Sequence, residues 1–424
     1  MLFATIICIT FSAPGQTIGV SVFTDHLIGA LGISRLRLSS AYALGTVCSS
    51  FLLTRVGKSI DRFGNREVTL AASVLFGSVL FLMSIIDKIT RGISSFTGFE
   101  GAIVPFLTVS AGFFLMRFLG QGVITLSGRT MLAKWFDEKR GRMNAVSGVF
   151  VSMMFAGSPV VFETLIKSSG WRGAWRSIGT GLLFFFPLFI LFFFRNNPES
   201  CGLNPDGDIP ENTKYENATR RKQISWTLGE TRKNPVFRIF NLSVSMSALI
   251  ITAVTFHIVS IFTENGMSRA DAVSIFLPSS VIAVAVNLFA GWLIDKKIRD
   301  KLKFIIIASN GGLILLCAGV VLIGNGAGKV LIIIGNGTAS GLMAALTTVV
   351  WPSYFGIKHI GAISGLNTSF MVFFSAAGPL LLGLSFKYSG SYTLSAALMA
   401  LLTAGLLIAS FFAEKPEYPG KFRV

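Results

Sequence analysis

The sequence predicts an all-α membrane protein whose twelve transmembrane helices form two six-helix pseudo-repeats. Three observations support this prediction: the chain is strongly hydrophobic, its apolar runs recur at the length of a bilayer, and its second half repeats motifs of its first half. Of the 424 residues, 52% are hydrophobic and only 13% are charged. Runs of about 20 apolar residues match the thickness of a hydrocarbon layer of about 30 Å.

The length of each apolar run and the charges that flank it locate the individual helices. Helices 1 to 12 are predicted at about 2–29, 38–57, 68–87, 103–132, 144–166, 175–195, 237–262, 272–294, 303–323, 329–352, 362–385 and 392–413. The segment 87–102 is expected to be a long loop between helices 3 and 4. The chain thus divides into an N-terminal half at 1–195, a cytoplasmic linker at 196–236 and a C-terminal half at 237–424.

The net charge of +17 is explained by topology. Most Lys and Arg residues lie in the segments after helices 2, 4, 6, 8 and 10 and in the C-terminal tail. By the positive-inside rule these segments and both termini are cytoplasmic, in a multi-pass protein of the cell membrane. The charge therefore indicates a lipid bilayer as partner and argues against nucleic acid.

An internal repeat relates the two halves. The stretch "GKSIDRFGNR" aligns with "GWLIDKKIRDK" so that Gly57 falls on Gly291 and Asp61 on Asp295. Upstream, "GISR" and "GMSR" keep the same displacement. Two parallel six-helix halves are an architecture that supports alternating access by rocking around a central site.

These motifs resemble those of the major facilitator superfamily. The helix 2 to 3 signature G-x-x-x-D-R-x-G-x-R of that family is matched by Gly57, Asp61, Arg62, Gly64 and Arg66. The stretch "RFLGQG" resembles the arginine and glycine element that the family carries in helix 4. The resemblance implies a transporter and no enzyme activity or cofactor.

Within the superfamily, "SSGWRGAW", "NNPESCGLNPDG" and "VVWPSYFGIKHIGAISG" are similar to the monocarboxylate porters and the oxalate and formate exchangers. In that group, basic residues inside helices 8 and 11 hold anionic substrates. This sequence has Asn287 in helix 8 and Asn367 and Thr368 in helix 11 instead. We expect an organic anion of monocarboxylate type, and a neutral solute is the alternative.

Arg117 is the sharpest candidate for solute binding, because a cation deep in a membrane helix costs at least about 2.5 to 3.5 kcal/mol unless it is paired or hydrated. The structural alternative is an ion pair within the bundle, with Glu163 as a candidate partner. The functional interpretation is that Arg117 binds an anionic group or tunes the pKa of a proton carrier. The expected site lies between the two halves, and its other members are Gln16, Thr17, Gln121, His257 and Asn367.

Few groups in the helices can carry a proton. Glu163, His257 and Asp25 are the candidates for proton coupling, although Asp25 is equally consistent with a solvated rim residue and His257 with a hydrogen-bonded core residue. Pro14 and Gly15 are expected to loosen helix 1 and to free Gln16 and Thr17 for hydrogen bonding.

The charged stretch after helix 2 is interpreted as part of a gate. Small Gly57 permits close helix contact, and Asp61 is expected to lie at a helix N-terminus or to pair with Arg129. Arg62 and Asp295, which is the repeat partner of Asp61, are also predicted to be gate residues. The scattered cysteines indicate no disulfide and no metal site.

The function expected from these patterns is secondary active transport of a small polar solute by a monomer. Transport is expected to be proton-coupled or to proceed by exchange. A sensor or scaffold that keeps the fold without transport is the alternative from another class. An enzyme is not expected, since no paired catalytic groups occur within the helices.

Overall fold

The computed structural model describes residues 1–99, 101–207, 225–268, 271–272, 274–295 and 302–417, without the side chain of residue 35. In this part of the chain, nine helices are long and apolar enough to cross a membrane, and Arg35–Ser50 with Leu53–Phe63 forms a bent tenth candidate. One of the nine, Arg140–Phe193, has 54 residues. This corresponds to about 80 Å of helix, more than twice a hydrocarbon layer.

Gly170 divides that long helix, since its φ of 71° and ψ of 165° are not helical. The first transmembrane segment is interrupted and is therefore missed by a length criterion. The nine helices, the bent tenth candidate, the extra helix made by the break at Gly170 and the interrupted first segment together give twelve. The predicted fold of twelve transmembrane helices is therefore confirmed. They are named α1 to α12 in chain order.

The chain forms two compact units, Met1–Trp135 with Val149–Gly207, and Phe136–Gly148 with Asp208–Val424. The first unit contains α1 to α4, most of α5, and α6. Their bounds are α1, Leu2–Thr10 continued by Thr24–Leu31; α2, Arg35–Ser50 and Leu53–Phe63; α3, Asn65–Ser84; α4, Ile103–Trp135; α5, 140–169; and α6, 171–193.

The second unit contains the first turns of α5 together with the last six helices. Their bounds are α7, Pro235–Thr263; α8, Phe276–Leu293; α9, Lys303–Val321; α10, Gly326–Phe355; α11, Ile360–Ser389; and α12, Thr393–Phe411. In the described part of the linker, Pro198–Cys201 and Pro205–Gly207 are short 3-10 turns. Residues 208–224 of the predicted linker lie outside the described residues.

The connection between α3 and α4 differs from the predicted loop. Ile86–Thr97 is a helix of 12 residues that ends at Gly98, whose φ is 68°. The segment was expected to be a loop because its glycines, serines and charges break a transmembrane hydropathy pattern. The apolar residues at helical spacing nevertheless suffice for an amphipathic helix outside the span.

Each unit has its own aromatic or aliphatic core. In the first unit, buried Trp175 stacks on Phe23 with ring centres 3.8 Å apart. In the second, Phe262 and Leu316 belong to a cluster of buried residues to which α7, α9, α10, α11 and α12 all contribute. Many large apolar side chains remain exposed on the helices. This is expected where lipid, not water, surrounds the bundle.

Candidate functional site

α1 is interrupted in the middle of its length, as its proline and glycine predict. The helix Leu2–Thr10 ends, Ala13–Gly15 forms a 3-10 turn, and Gln16 is extended, with φ −82° and ψ 157°. Pro14 contributes to the break because it has no N–H to donate and crowds the preceding turn. Backbone carbonyls in the break need partners from elsewhere in the protein.

Gly15 brings this break against α4. A Cβ atom on Gly15 would lie 2.5 Å from the carbonyl oxygen of Met116 and 2.9 Å from Cα of Gly120. Only glycine fits at such a contact. The facing part of α4, Arg117–Ile124, is a π-helical stretch, a feature often found at functional sites.

Arg117 points its guanidinium at the interruption, and only 3% of the residue is exposed. Its Nη1 donates to the carbonyl oxygen of Gly15 at 3.0 Å and lies 3.5 Å from Oγ1 of Thr17. Its Cζ lies 5.1 Å from the ring centre of Tyr42, whose hydroxyl bonds that of Thr17 at 2.8 Å. A carbonyl dipole, a hydroxyl and an aromatic face all attract a cation, but none of them carries a negative charge.

No carboxylate in the described ranges forms an ion pair with Arg117. The pairing with Glu163 considered from the sequence does not form, because exposed Glu163 lies 3.8 Å from Lys167, one turn further along α5. The buried Nε of Arg117 also has no hydrogen-bond partner. Arg117 is therefore a buried cation with an unused donor and no counter-charge among these residues.

Neutral polar groups surround the same break. Nε2 of Gln16 donates to Oγ of Ser12 at 3.0 Å and to Oγ1 of Thr125 at 3.2 Å. One turn from Arg117, the side-chain oxygen of Gln121 is buried without a hydrogen-bond partner. The structure thus brings Arg117, Gln16 and Thr17 together, with Gln121 on the same stretch of α4.

His257 in α7 is hydrogen-bonded within the second unit. Its Nε2 lies 2.9 Å from the carbonyl oxygen of Pro379, which can only accept, so Nε2 carries a proton. Its Nδ1 lies 3.5 Å from the hydroxyl of Tyr392, which is itself 2.7 Å from Oγ of Ser260. These contacts give His257 structural partners in α11 and at the start of α12.

Asn367 in α11 is also engaged inside the second unit. It is buried, and its Nδ2 donates to Oδ1 of Asn241 in α7 at 2.9 Å. Asn287 in α8 is buried too, and its Oδ1 has no hydrogen-bond partner. For Asn367, contact with a solute requires exchange of the bond to Asn241.

Asp295 caps the N-terminus of α5. Its Oδ1 accepts from the backbone N–H of Gly141 at 2.8 Å, and its Oδ2 accepts from N–H of Arg142 at 2.9 Å and from Nε of Arg142 at 3.1 Å. A Cβ on Gly141 would lie 2.5 Å from the carbonyl oxygen of Gly291. The aspartate thus satisfies first-turn donors and meets the positive end of the helix dipole.

The other predicted gating residues lie at the end of α2 and in α4. Gly57 is buried, Arg62 is exposed, and Asp61 is half-buried in the last turn of α2. Asp61 interacts electrostatically with Lys134. Arg129 is half-buried and makes no ion pair with another described residue, so the predicted pair of Asp61 with Arg129 is not formed.

The remaining proton-coupling candidates lie on exposed surfaces. Asp25 is exposed in the first turn of the continuation of α1, and Glu163 is exposed on α5. Within the described residues, no cluster of His, Cys, Asp or Glu is arranged to hold a metal ion.

Sequence reasoning missed the partners of the candidate residues. The structure supplies Ser12, Tyr42, Thr125, Asn241 and Tyr392. Each is a polar residue in or beside an apolar run, which is the only signal that the sequence offers. Which of them meet depends on the packing of helices that are distant in the chain.

Twelve membrane helices in two compact units, with an interrupted helix facing a buried cation in the first unit, are typical of a multi-pass membrane transporter. The sequence model of the Major Facilitator Superfamily matches residues 2–379. The chain belongs to this family, and it is a transporter of small-molecule solutes and not an enzyme. Among curated proteins, no sequence match is found.

Solved structures of the same fold cover almost the whole chain. The E. coli fucose:proton symporter FucP has a TM-score of 0.61 at 14% identity, covering 98% of each chain. The proton:xylose symporter XylE, bound to 6-bromo-6-deoxy-D-glucose, has a TM-score of 0.64 at 16% identity, covering 97% of this chain and 94% of its own. The human organic anion transporter MFSD10 has a TM-score of 0.60 at 15% identity, covering 97% and 98%. At these identities the likeness shows the fold alone.

Proposed function

We propose that the protein is a secondary active transporter that moves a small organic anion, of monocarboxylate type, across the cell membrane by alternating access. The observation that carries this proposal is Arg117, a buried cation without a carboxylate partner in the described residues and with a free Nε donor. Charge without compensation is costly inside a membrane protein. An anionic solute supplies the missing charge when it binds.

We assign to Arg117 the role of binding the carboxylate of the solute. A guanidinium presents planar, paired donors that match a carboxylate, and it stays charged at any physiological pH. Thr17 and Gln16 border the same interruption of α1 and donate or accept further hydrogen bonds. The buried side-chain oxygen of Gln121 receives a hydroxyl or N–H group of the solute.

His257 and Asn367 are assigned secondary roles in the second unit. Both are hydrogen-bonded within that unit, so contact with solute follows a change of partner. His257 is assigned the role of proton carrier, since an imidazole can bind or release a proton at a ring nitrogen when its hydrogen-bond partners change. Glu163 and Asp25 are the remaining candidates for coupling. The functional form is a monomer with both termini in the cytoplasm.

Uptake into proteoliposomes tests the role of Arg117. With Arg117→Gln, we expect the uptake rate of small carboxylates to fall about tenfold or more, because a charged hydrogen bond is worth about 1.5–3 kcal/mol. Arg117→Lys keeps the charge but not the paired donors, and should retain part of the rate. Lys387→Gln, which removes an exposed cation, is the matched control.

Three outcomes would contradict the proposal or parts of it. Equal carboxylate uptake by wild type and a folded Arg117→Gln protein removes Arg117 from the site. Uptake of neutral polyols without uptake of any carboxylate establishes the neutral-solute alternative. If carboxylate uptake by wild type does not depend on an imposed pH gradient, and His257→Gln leaves it unchanged, then transport is not proton-coupled.

A further inference from the structure

The helix Ile86–Thr97 connects α3 with α4, and one of its faces is packed against the rest of the first unit. Ile86, Asp87 and Thr90 form this buried face. Oδ2 of Asp87 lies 2.8 Å from Nη2 of Arg172, near the start of α6. The ion pair holds the helix in place beside the bundle.

An apolar stripe runs along the side of this helix, and its outer part is not covered by any part of the chain that the structure describes. It consists of Ile89, Ile93 and Phe96, which have i, i+4 and i+7 spacing and so share one face. Ile93 is exposed, and 94% of Phe96 is exposed. Phe99, just beyond the end of the helix, is a further large apolar side chain that is 68% exposed.

The opposite edge of the helix is polar and positively charged. Lys88, Arg91 and Ser95 are all exposed there. Arg91 and Arg172 share the single carboxylate of Asp87, and Lys88 adds a third cation, so the described charges sum to a positive patch. An apolar stripe beside a basic edge is the pattern of helices that lie in the membrane interface.

The helix Ile86–Thr97 follows and precedes membrane helices that carry exposed apolar side chains. α3 has 20 residues, about 30 Å, so its end at Ser84 lies at the boundary of a hydrocarbon layer. Leu75 and Leu82 on α3 are exposed, as are Ile103 and Leu107 at the start of α4. The stripe lies between these two lipid-facing helices in the chain.

We propose that Ile86–Thr97 is an interfacial helix that binds the phospholipid bilayer. Ile93, Phe96 and Phe99 enter the boundary between headgroups and acyl chains. Lys88 and Arg91 reach the phosphate groups of the lipids, as long basic side chains do at interfaces. The occupant of this surface is lipid and not a second protein.

A fluorescent label on the full-length protein tests this placement. Phe96→Cys and Ser95→Cys are each made in a background with Cys48→Ser and Cys201→Ser, which removes the exposed native thiols. The labelled proteins are reconstituted in phosphatidylcholine vesicles at low protein density. We expect the label at position 96 to emit further to the blue than the label at 95. Lipids that carry a quencher near the headgroup should quench the label at 96 several-fold more strongly than the label at 95. Aqueous iodide should instead quench the label at 95.

Other results overturn the proposal. Equal iodide quenching at 95 and 96 means that the stripe faces water. A label at 96 that is shielded from iodide but insensitive to lipid quenchers, with shielding that depends on protein density, means that a second copy of the chain covers the stripe. Both labels report on the folded protein, so uptake activity is not needed to interpret them.

Discussion

At the scale of single residues, Asp87 shows how charge is stabilised at the edge of the bundle. Only 7% of its side chain is exposed, and both Arg91 and Arg172 lie 2.8 Å from its Oδ2. Burial by itself raises the pKa of Asp87, but the hydrogen bonds and charge of Arg172, with Arg91, outweigh it and hold the pKa below its ordinary value of 3.8. Because the folded-state pKa is depressed, the stabilisation is complete above the ordinary pKa and is lost as the pH falls through the folded-state pKa.

Asp87→Asn removes the charge that two guanidinium groups share. We expect the variant to be less stable by about 1–3 kcal/mol at pH 7, with solvent screening of the exposed Arg91 favouring the lower end. The difference in stability between Asp87→Asn and wild type should narrow as the pH is lowered below about 4, since the wild-type carboxylate then also loses its charge. Thermal unfolding of the purified proteins at pH 7 and at acidic pH measures both effects.

The control for this prediction is Glu163→Gln, which breaks an exposed i, i+4 pair with Lys167. Such pairs contribute about 0.5 kcal/mol or less. If Asp87→Asn unfolds at the same temperature as this control at pH 7, the ion pairs of Asp87 do not stabilise the first unit.

Arg117 shows the limit of sequence reasoning at this scale. The depth of the arginine in its helix predicts that something must compensate its charge. That the compensation comes from the Gly15 carbonyl, the Thr17 hydroxyl and the Tyr42 ring is a property of the fold. A residue 102 positions away in the chain supplies the nearest of these contacts.

At the scale of elements, the junction of α2 and α3 depends on one glycine. Gly64 has φ 97° and ψ 162°, a conformation that L-residues rarely adopt. A Cβ there would lie 2.4 Å from Nδ2 of Asn196. Asn196 in turn accepts from N–H of Arg66 at 2.8 Å and donates to Glu67 at 2.8 Å, so it caps the first turn of α3.

Gly64→Ala is therefore expected to destabilise the protein by about 1–3 kcal/mol, through backbone strain and displacement of Asn196. Gly405→Ala in α12 is the matched control, because a Cβ at Gly405 meets nothing within 4 Å. It should be neutral or stabilising by up to about 1 kcal/mol, as alanine favours helix. Thermal unfolding compares the two variants, and an equal effect would argue against a special role of Gly64.

At the scale of the whole molecule, transport requires that access alternates between the two sides of the membrane. We propose that Asp295 and its repeat counterpart Asp61 act as gate residues, together with Gly57, Arg62 and Arg129. The cap that Asp295 places on α5 is the contact that supports this proposal. Such a cap is stable only while the helix N-terminus stays in reach of the carboxylate.

Asp61→Asn and Asp295→Asn should shift the protein toward the state open to the cytoplasm. The reporter is Thr17→Cys, at an exposed position just after the interruption of α1, in the background without exposed native thiols. We expect faster labelling of this thiol by an impermeant maleimide from the cytoplasmic side, and slower labelling from the other side. Glu264→Gln, at an exposed position, is the control, and labelling rates equal to those of wild type would exclude the gate.

The sequence predicted the elements better than their contacts. Apolar runs set the number and order of helices, and Pro14 with Gly15 marked the interruption of α1. The helix Ile86–Thr97 was missed, because its glycine, serines and charges resemble a loop when hydropathy alone is considered. Of the alternatives considered from the sequence, the ion pairs of Asp61 with Arg129 and of Arg117 with Glu163 do not form among the described residues, since periodicity gives the face of a helix but not its neighbour.

By itself, the sequence determined that this chain crosses a membrane twelve times and belongs to a family of transporters. Hydrophobic length and motif spacing are local properties, and a bilayer leaves helices as nearly the only way to satisfy a spanning backbone. Only the tertiary structure decided that Arg117 lacks an acidic partner, that Asp295 caps α5 and that His257 bonds Pro379. These depend on which helix faces pack together, a choice set by side-chain fit across hundreds of residues of separation and not by any local pattern.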